Sequence, residues 1–168
     1  MGETMPAHDH ATADQLDTIR SIMKSTRIAM LTTVEAGGAL HSHPMTVQEA
    51  SFDGDCWFLA SENADAVQQL QAHPHVNVSY SGSAQWLSLA GTAEIVRDQA
   101  KKTELWNTFT DVWFDGGETD PSVVLIHVKA DSAQYWESPG KVAILVGALA
   151  AKVSGGEPQT GSSESVTV

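Results

Sequence analysis

Residues 28–49 read IAMLTTV, then EAGG, then ALHSHPMTVQE. The first seven are apolar and β-branched, the composition of a strand. The next four supply a turn, because Gly37 and Gly38 tolerate positive φ. The last eleven, Ala39–Glu49, return as the antiparallel partner. A ribbon of this kind sets the expectation for the rest of the chain: strands joined by short turns, with few long helical crossovers.

The flanking sequence follows the same pattern. Ser51–Asp55 holds Asp53-Gly54, a second hairpin signal, before the short apolar strand Cys56–Ala60. Val76–Tyr80 alternates as a strand, Gly82 turns the chain, and Gln85–Val96 is a long strand with Gly91 at a bulge or bend. Val123–Val128 and Ala133–Trp136 read as the last two strands. Thr12-Ala13-Asp14-Gln15 is a capping box that opens an amphipathic helix to about Lys24. Asn63 is placed to cap a helix Ala64–Ala72, which His73-Pro74 stops. Asp98 caps a third helix through about Phe109, Val112–Pro121 is a loop, and Val142–Val153 reads as a terminal helix. The expected organisation is a flexible polar arm over 1–11, one domain over 12–153, and a Gly/Ser/Thr-rich tail over 154–168 that is disordered. The expected fold is mainly β (α+β): an antiparallel barrel or sandwich with helices on its rim.

The chain has 168 residues, with 9 Lys plus Arg against 21 Asp plus Glu, a formal charge of −12. That balance argues against nucleic acid, whose phosphates require clustered cations. It argues equally against an anionic membrane surface. The longest apolar stretch, Val142–Ala151, is about half of the ~20 residues needed to span a bilayer. Met1–Asp17 has no basic segment followed by an apolar one, so the expected location is the cytoplasm. The single Cys56 excludes an internal disulfide, and its apolar strand makes it a buried structural thiol.

Gly-x-Gly-x-x-Gly after a strand, the phosphate-binding Gly-Lys-Ser/Thr loop and Gly-x-Ser-x-Gly are all absent. Three His-x-His pairs occur: His8/His10, His41/His43 and His73/His75. Residues two apart on a strand share a face, so His41 and His43 can chelate one metal or a haem, or stand as ordinary hydrogen-bonded histidines. Five tryptophans offer flat faces for an aromatic ligand or for core packing. Trp113, in a Gly/Asp-rich stretch, and Trp136, near the domain end, are the better candidates for exposed platforms.

A series of blocks carries a more specific reading. Arg27–Val34, His43-Pro44-Met45-Thr46-Val47-Gln48, Phe52–Ser61 and Val76–Tyr80 come first. Gly91-Thr92-Ala93, Glu104-Leu105-Trp106-Asn107, Trp113-Phe114 and Ala133-Gln134-Tyr135-Trp136 follow in order. Together, over roughly residues 14–153, they resemble the general stress protein branch of the pyridoxamine 5′-phosphate oxidase-like flavin-binding split-barrel proteins. The resemblance implies a six-stranded antiparallel split barrel with flanking helices, a homodimer, and a flavin (FMN or FAD) in the groove between subunits. It implies that His41, His43, Pro44, Met45, Thr46 and Gln48 line the cofactor from one side. Trp57, Phe58, Leu59, Ala60 and Ser61 line it from another, with Asp65 beside the phosphate. Trp106, Trp113 and Trp136 match later aromatic positions of the family.

The departures are specific. The family pattern Arg-Ser-Arg-Pro-Met reads His41-Ser42-His43-Pro44-Met45 here, and the lysine at the start of the following helix is missing from Asn63-Ala64-Asp65-Ala66. Charge-assisted bonds to phosphate contribute ~1.5–3 kcal/mol each, so losing two or three weakens FMN binding by ~10²–10⁴-fold. Histidine substitutes for arginine only when protonated, and an imidazole ordinarily titrates near pH ~6.5. The expectation is therefore weak, pH-dependent FMN binding by an oxidoreductase without an evident acid–base residue. The alternatives are a flavin-free dimeric stress-response module and a histidine-based metal or haem binder.

Overall fold

The structure is a computed structural model that describes residues 10–48, 52–138 and 162–168. The elements in chain order are α1 (Ala13–Ser25), β1 (Ile28–Val34), β2 (Leu40–Thr46), β3 (Asp55–Ser61), α2 (Asp65–Ala72), β4 (His75–Ser81) and β5 (Gln85–Val96). They continue with α3 (Gln99–Leu105), α4 (Thr108–Trp113), β6 (Val123–Glu137) and β7 (Ser162–Thr167). Six strands run in the order β2-β1-β4-β5-β6-β3, with β7 added on β6. Every pairing between these strands is antiparallel. The curled sheet does not close: β2 and β3, its two ends, are not paired with each other. This is the six-stranded split barrel with flanking helices, extended by a seventh strand.

Local signals account for much of it. Thr12 Oγ1 accepts from Gln15 N and Gln15 Oε1 accepts from Thr12 N, closing the capping box that starts α1. Ile19, Ile22 and Met23 on the inner stripe of α1 are buried against the barrel. Gly38 turns β1 into β2 at φ 87°. Alternation then sorts the strands, with Ala29, Leu31 and Thr33 of β1 turned inward. The main core joins these to Phe52, Phe58, Val78, Tyr80, Leu87, Leu89 and Ile126. A smaller apolar cluster, Leu59, Leu105, Val123 and Leu125, lies on the opposite face of β3 and β6, with Trp57, Trp106 and Phe114 packed against it.

Several expectations are corrected. Asp53-Gly54 does make a turn, with Gly54 at φ 111°, but no hairpin results. β3 pairs instead with β6, Trp57 opposite His127 and Leu59 opposite Leu125, because both strands are apolar on both faces. The two expected strands at 123–128 and 133–136 are one continuous β6, bent where the β5 register shifts at Ala90/Gly91. The expected third helix breaks at Trp106-Asn107. Asn107 Oδ1 accepts from Phe109 N and Thr110 N and starts α4 afresh, which also moves Trp113 from a loop onto the end of that helix. Ala64, not Asn63, is the N-cap of α2, and no side chain caps it.

The tail is not disordered over its last residues. Ser162–Thr167 pairs with Ser132–Glu137. Val166 is buried, and Glu164 accepts from Tyr135 Oη (2.7 Å) and Gln15 Nε2 (3.1 Å). His10 at the end of the polar arm bridges to Thr167. The expected terminal helix Val142–Val153, the arm over 1–9 and the tail over 154–161 lie outside the described residues.

Cys56 is buried in the core, as its strand predicts. Desolvation pushes its thiol up to about 12, opposed by a hydrogen bond from the Tyr80 hydroxyl (3.7 Å) and reinforced by Asp55 and Asp53. Only the thiolate is alkylated. Iodoacetamide at pH 8 is therefore expected to label native Cys56 about 10³-fold more slowly than a free thiol of pKa ~8.5, with full labelling on unfolding. Rapid labelling of the native protein would contradict the buried position.

Candidate functional site

The two segments singled out from sequence, on β2 and β3, form the two open ends of the sheet. Among the described residues, no neighbouring strand uses the backbone N–H and C=O groups along their outer rims. The helix that follows β3 adds further donors, since the first amides of α2 have no intrahelical acceptor and no side-chain cap. Such a helix start favours an anion, whereas Asp65 in its first turn opposes one.

On β2, His41, His43 and Met45 share one face and Ser42, Pro44 and Thr46 the other. Met45 is buried in the core opposite Ala29, and Pro44 is exposed. The two histidines go to different partners. His41 Nε2 lies 3.2 Å from Glu35 Oε2. His43 Nε2 lies 3.0 Å from Thr33 Oγ1 and 3.2 Å from Gln69 Oε1, and Thr33 Oγ1 donates to Gln69 Oε1 at 2.5 Å. Beyond the strand, Gln48 Oε1 accepts from Asn107 Nδ2 at 3.1 Å, tying the end of β2 to the start of α4. Among the described residues no three His, Cys, Asp or Glu side chains are grouped to hold a metal.

The β3 segment is divided by its own alternation. Cys56, Phe58 and Ala60 face the main core, and Phe58 is 1% exposed. Trp57 and Leu59 lie on the other face, as does the exposed Ser61. Trp57 stacks on His127, with ring centroids 4.0 Å apart and planes 8° from parallel. Lys101 Nζ stands 5.1 Å from the indole centroid. His127 Nδ1 meets Glu94 Oε1 at 3.0 Å, and this contact, with Lys129 nearby, holds the Glu94 carboxyl below its ordinary range. Asp55 Oδ2 is 3.1 Å from Nε2 but not aligned for a hydrogen bond.

The later tryptophans diverge. Trp113 is 70% exposed at the end of α4, beside exposed Phe109 and Val112. Trp106 donates from Nε1 to Asp111 Oδ1 at 2.7 Å and packs on Phe114. Trp136 is opposite Trp86, nine residues along β6 from His127. At ~3.3 Å per residue the two positions are up to ~30 Å apart along the bent strand. Two hollows are not lined by any residue of β2, β3 or α2: one of about 200 Å³ beside Lys102, and one of about 450 Å³ beside Gly82–Gln85. Sequence reasoning missed Thr33, Gln69 and Asn107, which are ordinary polar residues whose partners are distant along the chain. Nor does the sequence place His127, whose stacking partner Trp57 is likewise distant along the chain.

No helix among the described residues is long and apolar enough to cross a membrane. The chain is similar to known proteins across most of its length. The family described as pyridoxamine 5′-phosphate oxidase like matches residues 14–159. Protein bli-3 of Neurospora crassa is 30% identical over 158 residues, covering 87% of this chain and 76% of that protein. The general stress FMN/FAD binding protein of Xanthomonas citri is 29% identical, with a TM-score of 0.66 over 75% of this chain and 90% of that one. The General Stress Protein 26 of Bacillus anthracis is 23% identical, with a TM-score of 0.65 over 71% of this chain and 92% of that one; it shares the fold. With the split barrel and this matched span together, the chain belongs to the pyridoxamine 5′-phosphate oxidase-like family.

Proposed function

We propose that the protein binds a flavin, FMN or FAD, in the split between β2 and β3 of a homodimer and acts as a cytoplasmic oxidoreductase of the general stress type. The observation that carries this reading is the placement of both candidate segments on the two open ends of the sheet, next to the uncapped start of α2. Unpaired strand backbone suits the edge of a planar polar ring, and free helix amides suit a phosphate. The FMN/FAD binding relative from Xanthomonas citri supports the same ligand.

When bound, the flavin supplies the electron-transfer chemistry. The chain's own task is to hold it. Thr46, Gln48 and the β2 backbone border one side, and Leu59–Ser61 the other, while Met45, Phe58 and Ala60 support the walls from the core. The dimer is supported by apolar surface on one subunit: Leu40, Phe109, Val112 and Trp113 are all well exposed. It is supported too by the distance between Trp136 and Trp57, which a second subunit removes by presenting its own Trp113 or Trp136 to the cleft.

The phosphate end is the weak point of the site. His41 has Glu35 as its counter-ion, and Asp65 adds negative charge. FMN is therefore expected to bind about tenfold more tightly at pH 6 than at pH 8, because a histidine at the phosphate end, His41, replaces an arginine there only in its protonated form. Riboflavin, without the phosphate, is expected to show little change. Quenching of flavin fluorescence, titrated at both values, measures this. Equal FMN affinity at the two pH values would remove His41 from the phosphate role. A colourless protein that takes up neither FMN nor FAD would favour a flavin-free module, the reading that Asp65 and the missing cations support.

A further inference from the structure

The contacts of His43 determine which of its nitrogens carries a proton. Thr33 Oγ1 and the Gln69 side-chain atom facing it are 2.5 Å apart. The Gln69 atom that faces Thr33 is the amide oxygen Oε1, so the threonine hydroxyl donates to it. An amide oxygen only accepts, and the single hydroxyl proton is already spent. His43 Nε2 faces both oxygens, at 3.0 and 3.2 Å. As an acceptor it would confront two acceptors, so it must be the donor.

We infer that Thr33 and Gln69 are positioning residues that lock His43 as the Nε2–H imidazole, leaving Nδ1 as a hydrogen-bond acceptor for an N–H or O–H group of the ligand in the split. Among the described residues no hydrogen bond reaches Nδ1. Thr33 is fully buried on β1 and Gln69 is half-buried on α2, so the lock is built from two elements behind the edge strand. The arrangement fixes the tautomer of a histidine by occupying one nitrogen, so that the other is free to exchange a proton. The charged and titratable groups on the surrounding elements are His41 and Glu35 on the hairpin, Asp65 and His73 at the ends of α2, and His75 at the start of β4; none is bonded to the His43 ring. The inference rests on the flavin reading for the identity of the ligand, but not for the tautomer. An oxidised isoalloxazine ring carries one N–H, at N3, and that is the donor such an acceptor selects.

Two measurements separate these parts. In the ligand-free full chain labelled with ¹⁵N-histidine, His43 is expected at pH 8 to show a protonated Nε2 and an unprotonated Nδ1. Thr33→Val or Gln69→Leu should convert it to a mixture of both tautomers. If Thr33→Val fails to fold, Gln69→Leu alone removes the shared acceptor from the half-buried helix face. A dominant Nδ1–H form in the wild type, or a tautomer indifferent to both substitutions, would overturn the lock. The second measurement is binding of lumiflavin and 3-methyllumiflavin, which lack the phosphate and differ only in the N3 donor. Wild type is expected to favour lumiflavin by about tenfold, and His43→Phe to bind both equally. Equal binding by the wild type would overturn the acceptor role alone, whereas no uptake of either ring would overturn the flavin reading together with that role.

Discussion

Gly91→Val is expected to destabilise the protein by about 3 kcal/mol or more, among the largest effects of any single exchange in this chain. Gly91 sits where the β5–β6 register shifts, and β6 crosses close above it. A Cβ there meets the backbone of Lys129 and Ala130, with the Ala130 Cα 2.9 Å away. Backbone cannot rotate aside as a side chain can. Relief requires moving the bend of β6, and with it all three strands paired to it, β3, β5 and β7. At ~2–4 °C per kcal/mol for a protein of this size, the melting temperature should fall by roughly 6–12 °C. Gly91→Ala should move it in the same direction by less. A valine variant that melts with the wild type would show that the bulge slides freely and does not fix the register.

Phe58→Ala is expected to cost about 3–5 kcal/mol, a second effect of that size, and to act on stability before it acts on any ligand. The ring is 1% exposed and packs in the main core from the middle of β3. Truncation leaves a cavity among residues that are themselves held by strand pairing, so little collapse can fill it. Urea unfolding should show a lower midpoint with an unchanged slope. Trp57→Ala should instead leave the main core intact and release His127 from its stack, costing less. If the two variants lost equal stability, the assignment of opposite faces along β3 would be wrong.

This contrast marks what could be read from the sequence. A resemblance transfers a contiguous block, Trp57–Ser61, but a strand divides such a block by alternation, and which parity faces inward depends on the partner. Local features were legible because their causes are local: the Thr12/Gln15 capping box, the Gly38 turn, the bulge at Gly91. The pairing of β3 with β6 was not, because Asp53-Gly54 is a good turn whether or not the strands around it meet. The break at Asn107 was hidden because its amide both suits a cap and is tolerated in a helix. The sequence Ser162–Thr167 offers one apolar anchor, Val166. The rest of what holds it, Tyr135 and Gln15 on Glu164, comes from far along the chain. The candidate site shows the same division. Its segments were legible from ordered motifs, whereas the Thr33–Gln69 pair behind His43 spans 36 residues and has no pattern of its own.

Pro44 has a consequence beyond any ligand. It stands on the outermost strand of the sheet, opposite Met30, and is exposed. A proline has no N–H to offer, so this rim has a missing rung midway along its length. A free rim of regular amides invites a like strand from another molecule and, repeated, seeds fibrils. On the proposed reading, in which the split takes a small molecule, the same proline acts as a gatekeeper, leaving the rim open to that ligand while denying it to a growing cross-β ribbon.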